Sequence, residues 1–510
     1  MHDPQDMNLQ YLEDLATGYW RSEVLFTAVE QGLFTRLEPN GKTMTELAGE
    51  LAYDSESLKR FIRALSAMGL VFEAGGYCAN TKLARKYLVQ GVESYQGDSI
   101  LWRKYLAGHW QSLPRCLAGG GRVLLPPEDE PEAAVKERFR RYCRAMDCVA
   151  RNKMEQLWPV FSRLKPRGDI LDVGAGLGAL AAGFLRRFPD LKATLLDLAP
   201  VLEYAAETHA RQTYAERVQY RPANILEPWE LPKRHYGLVI LSNIVHAFAE
   251  AETGHVLAEA AACLAEDGLL MVHDFFLEHD PVKAALADLN MLVNTYNGKV
   301  YTAARVRQWL EDAGLTVTER IPLASDTALL VAARQPEKLA DLCIDPWQQL
   351  TVRIQELGFH EVKPVAVDSI HLPGWVGLKC AFGCAGYDLP HCPPNSIKPE
   401  QTRTVLRDYT KCLLLQGVPP TRDFQRLVLR AEHTAFKAGY YKAFSFWAGP
   451  CSICDRCGGR GDCKNRENAR PSMESAGIDV FETLRRNGIS LATLGEKDDY
   501  VKYFAILLLE

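Results

Sequence analysis

Between residues 166 and 335 one pattern repeats: a short apolar run, an amphipathic stretch, then another apolar run. The runs are DILDVGAG, KATLLDLA, YGLVILSN and GLLMVHDFF, and the stretches between them include LAAGFLRRF and HVLAEAAACLAED. Short apolar runs alternating with helical stretches signal a parallel sheet covered by helices on both faces. The pattern predicts a doubly wound α/β domain over 166–335, and the rest of the chain must be arranged around it.

The first hundred residues read differently. LFTAVEQGLFTRL places Leu25, Val29, Leu33 and Leu37 at helical spacing, with Gly32 as a break. MTELAGELAYDSESLKRFIRALSAMGLV holds two helices joined at Tyr53–Ser55, the second capped by Asp54 or Ser55, and VFEAGGYCAN reads as a hairpin turning at Gly75-Gly76. Helix–turn–helix followed by a hairpin is winged-helix architecture, expected over 1–100. SESLKRFIRALSAMG is apolar on too many sides for a free recognition helix, and a net charge of −5 leaves no basic footprint, so packing or dimerisation is preferred to DNA binding. Residues 101–165 read as a helical segment rich in Trp, Tyr and Arg, with a loop around Leu124–Pro131. MHDPQDMNLQYLEDLATGY is acidic and broken, unlike a secretory or transit peptide, and no apolar window is long enough for a membrane span. The expectation is a cytoplasmic protein with neither nucleic acid nor membrane as partner.

The run DILDV leads into Gly174-Ala-Gly176-Leu-Gly178 and then the helix ALAAGFLRRF. Glycines at such a turn let backbone approach a ligand, and the helix N-terminus favours negative charge. The spacing is GxGxG, which weakens a nicotinamide reading. The next run ends LLDLAP, placing Asp197 nineteen residues after Gly178, where a carboxylate can take both hydroxyls of a ribose. Together these point to a nucleoside ligand.

On these residues, the chain from about Tyr11 to Arg334 resembles the class I S-adenosylmethionine-dependent methyltransferases of the plant and bacterial small-molecule O-methyltransferase type. That family carries a winged-helix dimerisation domain before a Rossmann-like domain, so the resemblance implies a homodimer. It implies that DVGAGLG, with Gly174 and Gly176, is the methionine-end loop and Asp197 the ribose acid. RPANIL would place Asn224 on the adenine amine and Ile225 on its ring. LSNIVHAF would supply Ser242 to the cofactor side and His246 as catalytic base, and DLNMLV at 288–293 would line the acceptor pocket. Two departures bear on the base. His-Asp-Trp is here His246-Ala247-Phe248, and the Gly-Lys-Glu-Arg-Thr segment reads GKVYT, with Val300 at the glutamate. The family's other supporting glutamate would fall near MVHDFF, at His273 or Asp274.

His246 follows YGLVILSN, at the ligand edge of a parallel sheet; its plainer reading is a histidine packed in a helix beginning after Asn243. Asp274 ends the next run, as either the group that orients His246 or a helix or loop cap. His273 reads as a buried polar residue with a backbone partner. Trp102, Tyr142 and Met146 are candidates for the acceptor lining, or ordinary core. Methyl transfer from a sulfonium is mostly alignment. An alcohol needs a base, a phenolate needs it less, and a thiolate or activated carbon hardly at all. O-methylation leads, with S- or C-methylation as alternatives.

The 14 cysteines are spread unevenly, with eight between Cys380 and Cys463. In a reducing compartment that density indicates metal rather than disulfides. Cys380-x3-Cys384-x7-Cys392-Pro-Pro and Cys451-x2-Cys454-x2-Cys457-x5-Cys463 include a CxxCxxC run with a later fourth cysteine, close to the ferredoxin pattern. Glycines in CGGRGDC suit irregular backbone around a cluster. These cysteines are too many and too closely spaced for a simple zinc ribbon. Cys412, in KCLLLQ, reads as core, which leaves seven candidate ligands. Seven allows one [4Fe-4S] cluster with spares, or two clusters of which one, at Cys380, Cys384 and Cys392, keeps an iron without a thiolate. The Cx3Cx2C of radical enzymes is absent. The segment from Val362 to Glu510 also resembles a family of uncharacterised predicted metal-binding domains, through CAFGCAGYDLPHCPP, AFKAGYYKAF, GPCSICDRC and ARPSMESAGIDVF.

A polar stretch, RQPEKLADLCID, sets off this last region, 346–510, expected to be an α+β iron–sulfur domain that depends on its metal as a staple. Three uses remain open: a methyltransferase with an accompanying cluster, a cluster-centred enzyme in which an open iron binds or reduces the substrate and an electron donor is a partner, and a structural or redox-sensing clip.

Overall fold

Two local devices start the amino-terminal fold. The Thr43 hydroxyl accepts from the Glu46 N–H while the Glu46 carboxylate accepts from the Thr43 N–H at 2.8 Å, opening the helix Met44–Leu51. Asp54 accepts from the Ser57 N–H at 2.8 Å and opens Ser55–Ala67. Strands β1 (Lys42–Thr43), β2 (Val71–Ala74) and β3 (Tyr77–Asn80) form an antiparallel sheet in the order β1-β3-β2, with the β2–β3 hairpin turning at Gly75-Gly76. This winged helix belongs to a computed structural model that describes residues 9–127, 129–459, 463–491, 493 and 501–510. Residues 1–8, on which part of the leader reading falls, and Gly461 of CGGRGDC lie outside them.

One expectation here is corrected. Ser55–Ala67 buries Leu58, Ile62 and Leu65 on one face and exposes Lys59, Arg60 and Arg63 on the other. The helix is apolar on one side only, because Phe61, Ala64 and Met68 merely flank the buried stripe. Helices Gly97–Trp110, Leu113–Gly119 and Glu132–Leu157 then lead into the sheet.

The apolar runs become strands β4 (Ile170–Val173), β5 (Ala193–Asp197), β6 (Val218–Pro222), β7 (Tyr236–Ser242) and β8 (Leu264–Asp274). Beyond them come β9 (Thr316–Val317), β10 (Ile321–Pro322) and β11 (Ala328–Ala333). The sheet runs β10-β11-β8-β7-β4-β5-β6, with β9 also on β11. Strands β4 to β8 are parallel, but β11 is antiparallel to β8, β9 and β10. The expected all-parallel sheet therefore has an antiparallel edge: the chain re-enters beside β8 in the reverse direction after the helix Ala303–Asp312. The helix read as HVLAEAAACLAED stops at Cys263, and LAED begins the long strand β8.

Parallel pairing places the C-terminal ends of β4, β5, β7 and β8 along one edge. That edge receives the glycine loop, Asp197, Asn243–Phe248 and Asp274, so residues far apart in sequence converge there.

The larger compact unit ends at Cys343 and a smaller one begins at Ile344. In the smaller unit β12 (Glu361–Val365), β13 (Cys412–Gly417), β14 (Phe444–Phe446) and β15 (Tyr503–Leu508) form an antiparallel sheet in the order β12-β13-β15-β14. Alternate residues of β13 and β15 feed two cores: Leu413, Leu415, Ala505 and Leu507 on one face, Cys412, Leu414, Ile506 and Leu508 on the other. EHTAFKAGYYKAFSF, whose sequence reads as a single helix, is divided. Thr421–Lys437 is helical, Gly439 breaks it at φ 98°, and β14 follows.

One glycine shows how closely the large sheet is packed. Gly237, in β7, donates to the Asp169 carbonyl at 2.9 Å, and a Cβ on it would lie 1.6 Å from the Arg167 carbonyl oxygen. Gly237→Ala is expected to cost about 1–3 kcal/mol of stability and to lower the thermal midpoint of the larger unit, read by calorimetry; an unchanged midpoint would show that the backbone can yield there.

Candidate active site and cysteine pockets

The turn after β4 is built from left-handed backbone. Gly174 (φ 61°) and Gly176 (φ 56°) sit where side-chain-bearing residues are strained. A Cβ on Gly174 would strike Ile244 Cδ1 at 2.2 Å, whereas one on Gly176 would meet nothing within 4 Å. Gly176 is thus the open position of the loop. Its N–H donates to Asp197 Oδ2 at 2.8 Å, and the Leu198 N–H donates to Oδ1 at 2.7 Å. Burial pushes the Asp197 pKa up against the pull of those two bonds. Asp172, at the foot of the loop, is buried outright and pushed up to about 8.

Asn224 is exposed; its carbonyl oxygen accepts from the Leu226 N–H at 3.1 Å and its amide donates to Glu227 at 3.2 Å. Ile225 is buried under the glycine loop. Ser242 is engaged elsewhere: its hydroxyl lies 2.8 Å from His273 Nδ1. Tyr142 keeps 45 % of its surface accessible. Burial, then Cys143 and Asp197, push its hydroxyl up to about 12.

His246 and Asp274 are brought together. Asn243, at φ 56°, ends β7, and a short 3-10 turn, Val245–Ala247, carries the histidine; the longer helix begins only at Glu250. His246 Nδ1 makes a short hydrogen bond to Asp274 Oδ1. The same carboxylate accepts from the N–H groups of Val245 (3.0 Å) and Phe275 (2.7 Å), so Asp274 both contacts the ring and caps the turn. Burial alone would lower the His246 pKa, but the charge and hydrogen bond of Asp274 outweigh it and raise it. Phe275 packs edge-on against the ring at 5.6 Å. Val300, where the related segment has glutamate, is buried in the core, and its N–H donates to Asp288 in the helix Pro281–Asn294. No second carboxylate touches His246 among the described contacts.

His273 is buried, but its partners are hydroxyls rather than backbone: Ser242 on Nδ1 and Thr327 on Nε2, each at 2.8 Å. Burial, then Lys153, lower its pKa to about 3, so it is neutral. Lys153 ends the chain, donating to Ser325 at 2.7 Å and Thr327 at 2.9 Å. Sequence reasoning missed this chain, whose members lie on separate elements and carry no shared motif. Trp102 stacks on Tyr105 at 4.9 Å and meets Tyr142 edge-on at 5.4 Å, beside a cavity of about 520 Å3 that Trp102, Tyr105 and His109 help to line. Met146 is half-buried on the same helix as Tyr142.

In the smaller unit, the helix Thr421–Lys437 organises the second cysteine segment. Buried Gln425 donates to the Ala448 and Pro450 carbonyls (3.2 and 3.0 Å) and accepts from the Ser452 N–H (2.8 Å). Arg422 donates to the carbonyls of Ser452 (2.7 Å) and Cys454 (3.2 Å). Cys451, Cys454, Cys457 and Cys463 line one cavity with His391, whose Nε2 is 3.2 Å from Cys463 Sγ. His391 was also missed, although it adjoins Cys392 in the sequence. Cys380, Cys384 and Cys392 line another cavity. Cys412 is buried in β13, pushed up to about 12 by burial.

Three family models match: "O-methyltransferase dimerisation domain" over 13–90, "O-methyltransferase domain" over 132–316, and "Predicted metal-binding protein (DUF2284)" over 363–509. The 3-hydroxy-5-methyl-1-naphthoate 3-O-methyltransferase of Streptomyces sahachiroi is 30% identical over 63% of this chain and 94% of its own length. The acetylserotonin O-methyltransferase of Bos taurus is 28% identical over 59% of this chain and 91% of its own. Among solved structures, human N-acetylserotonin methyltransferase in complex with SAM superposes with a TM-score of 0.56 at 22% identity, covering 66% of this chain and 99% of that one, which shows the shared fold. By these matches the chain belongs to the small-molecule O-methyltransferase family, as an S-adenosylmethionine-dependent methyltransferase with a dimerisation domain before it and a predicted metal-binding domain after it.

Proposed function

We propose that the larger unit methylates a hydroxyl on a small aromatic acceptor, with His246 as general base. The observation that carries this reading is the Asp274 carboxylate on His246 Nδ1 at the same sheet edge as the glycine loop and Asp197. The residues present fit S-adenosylmethionine: an open glycine position at Gly176, a carboxylate at a strand end held by two backbone N–H groups, and a polar Asn224 beside an apolar Ile225. In this reading Gly174 and Gly176 border the methionine end, Asp197 takes the ribose hydroxyls, and Asn224 and Ile225 hold the adenine. The cofactor supplies an electrophilic methyl group on a sulfonium.

The remaining work falls to the protein. Asp274 accepts a hydrogen bond from the Nδ1–H, so neutral His246 presents a lone pair at Nε2. That nitrogen takes the proton of the acceptor hydroxyl as the oxygen becomes nucleophilic. Trp102, Tyr142 and Met146 border the acceptor side. An aromatic acceptor is supported by the relatives, which are named for a naphthoate and for acetylserotonin.

For the smaller unit we propose iron–sulfur chemistry, on the CxxCxxC spacing and on cysteines that line cavities rather than pairing. The proposed protein is a cytoplasmic homodimer. An electron donor joins its partners only if the cluster is reduced in turnover.

His246→Ala is expected to lower kcat about 10²- to 10⁴-fold, with methyl transfer to hydroxylated arenes read by mass spectrometry. A value within threefold of wild type would overturn the base. The base must be neutral, and its pKa is raised, so wild-type activity should fall as pH drops through a value above the ordinary histidine range. Asp274→Asn removes the raising charge and leaves burial, so the acid limb should move to lower pH while the plateau falls. Asp197→Asn should raise the KM for S-adenosylmethionine at least tenfold with little change in the KM for the acceptor.

A further inference from the structure

The cysteines of the smaller unit divide between two cavities of unequal character. Cys380, Cys384 and Cys392 line one of about 400 Å3, wide enough to admit a small molecule beside a metal centre. Cys451, Cys454, Cys457 and Cys463 line the other, of about 30 Å3. Cys392 alone lies on the wall of both.

Two carboxylates line the wide cavity: Asp479 is engaged as a helix cap, accepting from the Glu482 N–H at 3.1 Å, which leaves Glu474 where the narrow cavity has its fourth thiol. Glu474 lies on the wide cavity's wall with solvent-accessible surface, and the Glu474 carbonyl oxygen is 3.8 Å from Cys380 Sγ. The Glu474 charge reaches both Cys380 and Cys392, which also feel Cys384. Four groups that become anions on metal binding thus surround one space. Lys379, stacked on Trp375 at 5.1 Å, is a cation on the same wall.

The spacing argues for a cluster rather than a single ion. Among the described residues no three His, Cys, Asp or Glu side chains converge on a point that one ion could occupy. Zinc would draw its thiolates to about 2.3 Å from a common centre. Cys451-x2-Cys454-x2-Cys457 has the close, repeated spacing of ferredoxin-type loops, which suits a multi-iron cluster better.

Resting on the iron–sulfur reading above, we propose that this unit holds two different centres. Cys451, Cys454, Cys457 and Cys463 ligate a closed one, while Cys380, Cys384 and Cys392 with Glu474 as fourth ligand hold one whose carboxylate-bound iron exchanges that ligand for a small anion. A hard carboxylate is the weakest match to thiolate-ligated iron in the set and hence the ligand to leave. Lys379 supplies the charge complement for an incoming anion. The loop of the narrow centre is instead pinned to a helix by Arg422 and Gln425.

The test uses the full chain, reconstituted and purified without oxygen, with cyanide as the anion probe. Iron and sulfide are counted, and electron paramagnetic resonance is recorded on reduced protein. Two four-iron centres require about eight irons and eight sulfides per chain. Cys384→Ser and Cys454→Ser should each lose about half, and each a different spectral component. Cyanide should perturb only the component that Cys384→Ser removes, and Glu474→Gln should shift that component at unchanged iron content. Four irons per chain, all lost in either cysteine variant, would overturn the two-centre assignment and leave the iron–sulfur reading intact. Zinc without sulfide would overturn that reading itself. A cyanide effect on neither component, or on the one lost in Cys454→Ser, would overturn the exchangeable site. A Glu474→Gln spectrum identical to wild type would remove Glu474 as ligand. The cyanide titration of wild-type protein decides the exchangeable site even if a cysteine variant misfolds.

Discussion

The Asp274 carboxylate, 1 % exposed at the end of β8, is the point on which the proposed catalytic edge depends. A buried carboxylate without partners would cost several kcal/mol. Here it accepts from the Val245 and Phe275 N–H groups and bonds to the imidazole of His246. These bonds fix three things at once: the turn after β7, the tautomer of the proposed base, and the distance between two adjacent strand ends. Ile244, on the same turn, packs against Gly174, which admits no side chain there. The glycine loop is thus seated on the turn that carries His246, so an error in either would be felt by the other.

Much of this edge was legible in the sequence, because parallel strands end where ligands bind and their apolar runs are easy to see. The glycine loop, Asp197, His246 and Asp274 all follow such runs. The two readings of Asp274, orienter and cap, turn out not to compete, since one oxygen meets the ring and the other the turn. Less was legible where a residue's role depends on pairing direction or on packing between distant segments. ALLVAA would have the same composition as a parallel or an antiparallel strand, and only the path of the chain decides that β11 runs against β8. Ser242, which the resemblance puts on the cofactor side, has its hydroxyl 2.8 Å from His273 Nδ1 on the neighbouring strand, a contact that cross-strand register creates and no single motif shows. Lys153, Ser325 and Thr327 assemble only in three dimensions. SESLKRFIRALSAMG reads as apolar on too many sides because half-buried Phe61 and Met68 look like core in the sequence.

The smaller unit changes what its metal has to do. The cysteine segments alone suggested a region short of core and in need of a staple. The sheet β12-β13-β15-β14 instead buries side chains on both faces, with Leu350, Ile354, Phe424 and Val428 over one and Leu406, Met473, Ile478 and Leu484 over the other. Buried Glu432 receives the Ser445 N–H and hydroxyl and pairs with Arg470, tying the helix to β14 without any cysteine. A sheet held by that much buried apolar surface has its stability from the hydrophobic effect, so a metal centre is free of the staple's job. Structural zinc sites are closed by their protein ligands, whereas a site that does chemistry keeps a position open. Three cysteines facing a cavity wide enough for a small molecule meet the second description, and four around a tight one the first. The arrangement therefore suits the proposed exchangeable centre better than a purely structural clip, since the sheet does not depend on the cysteines for its core.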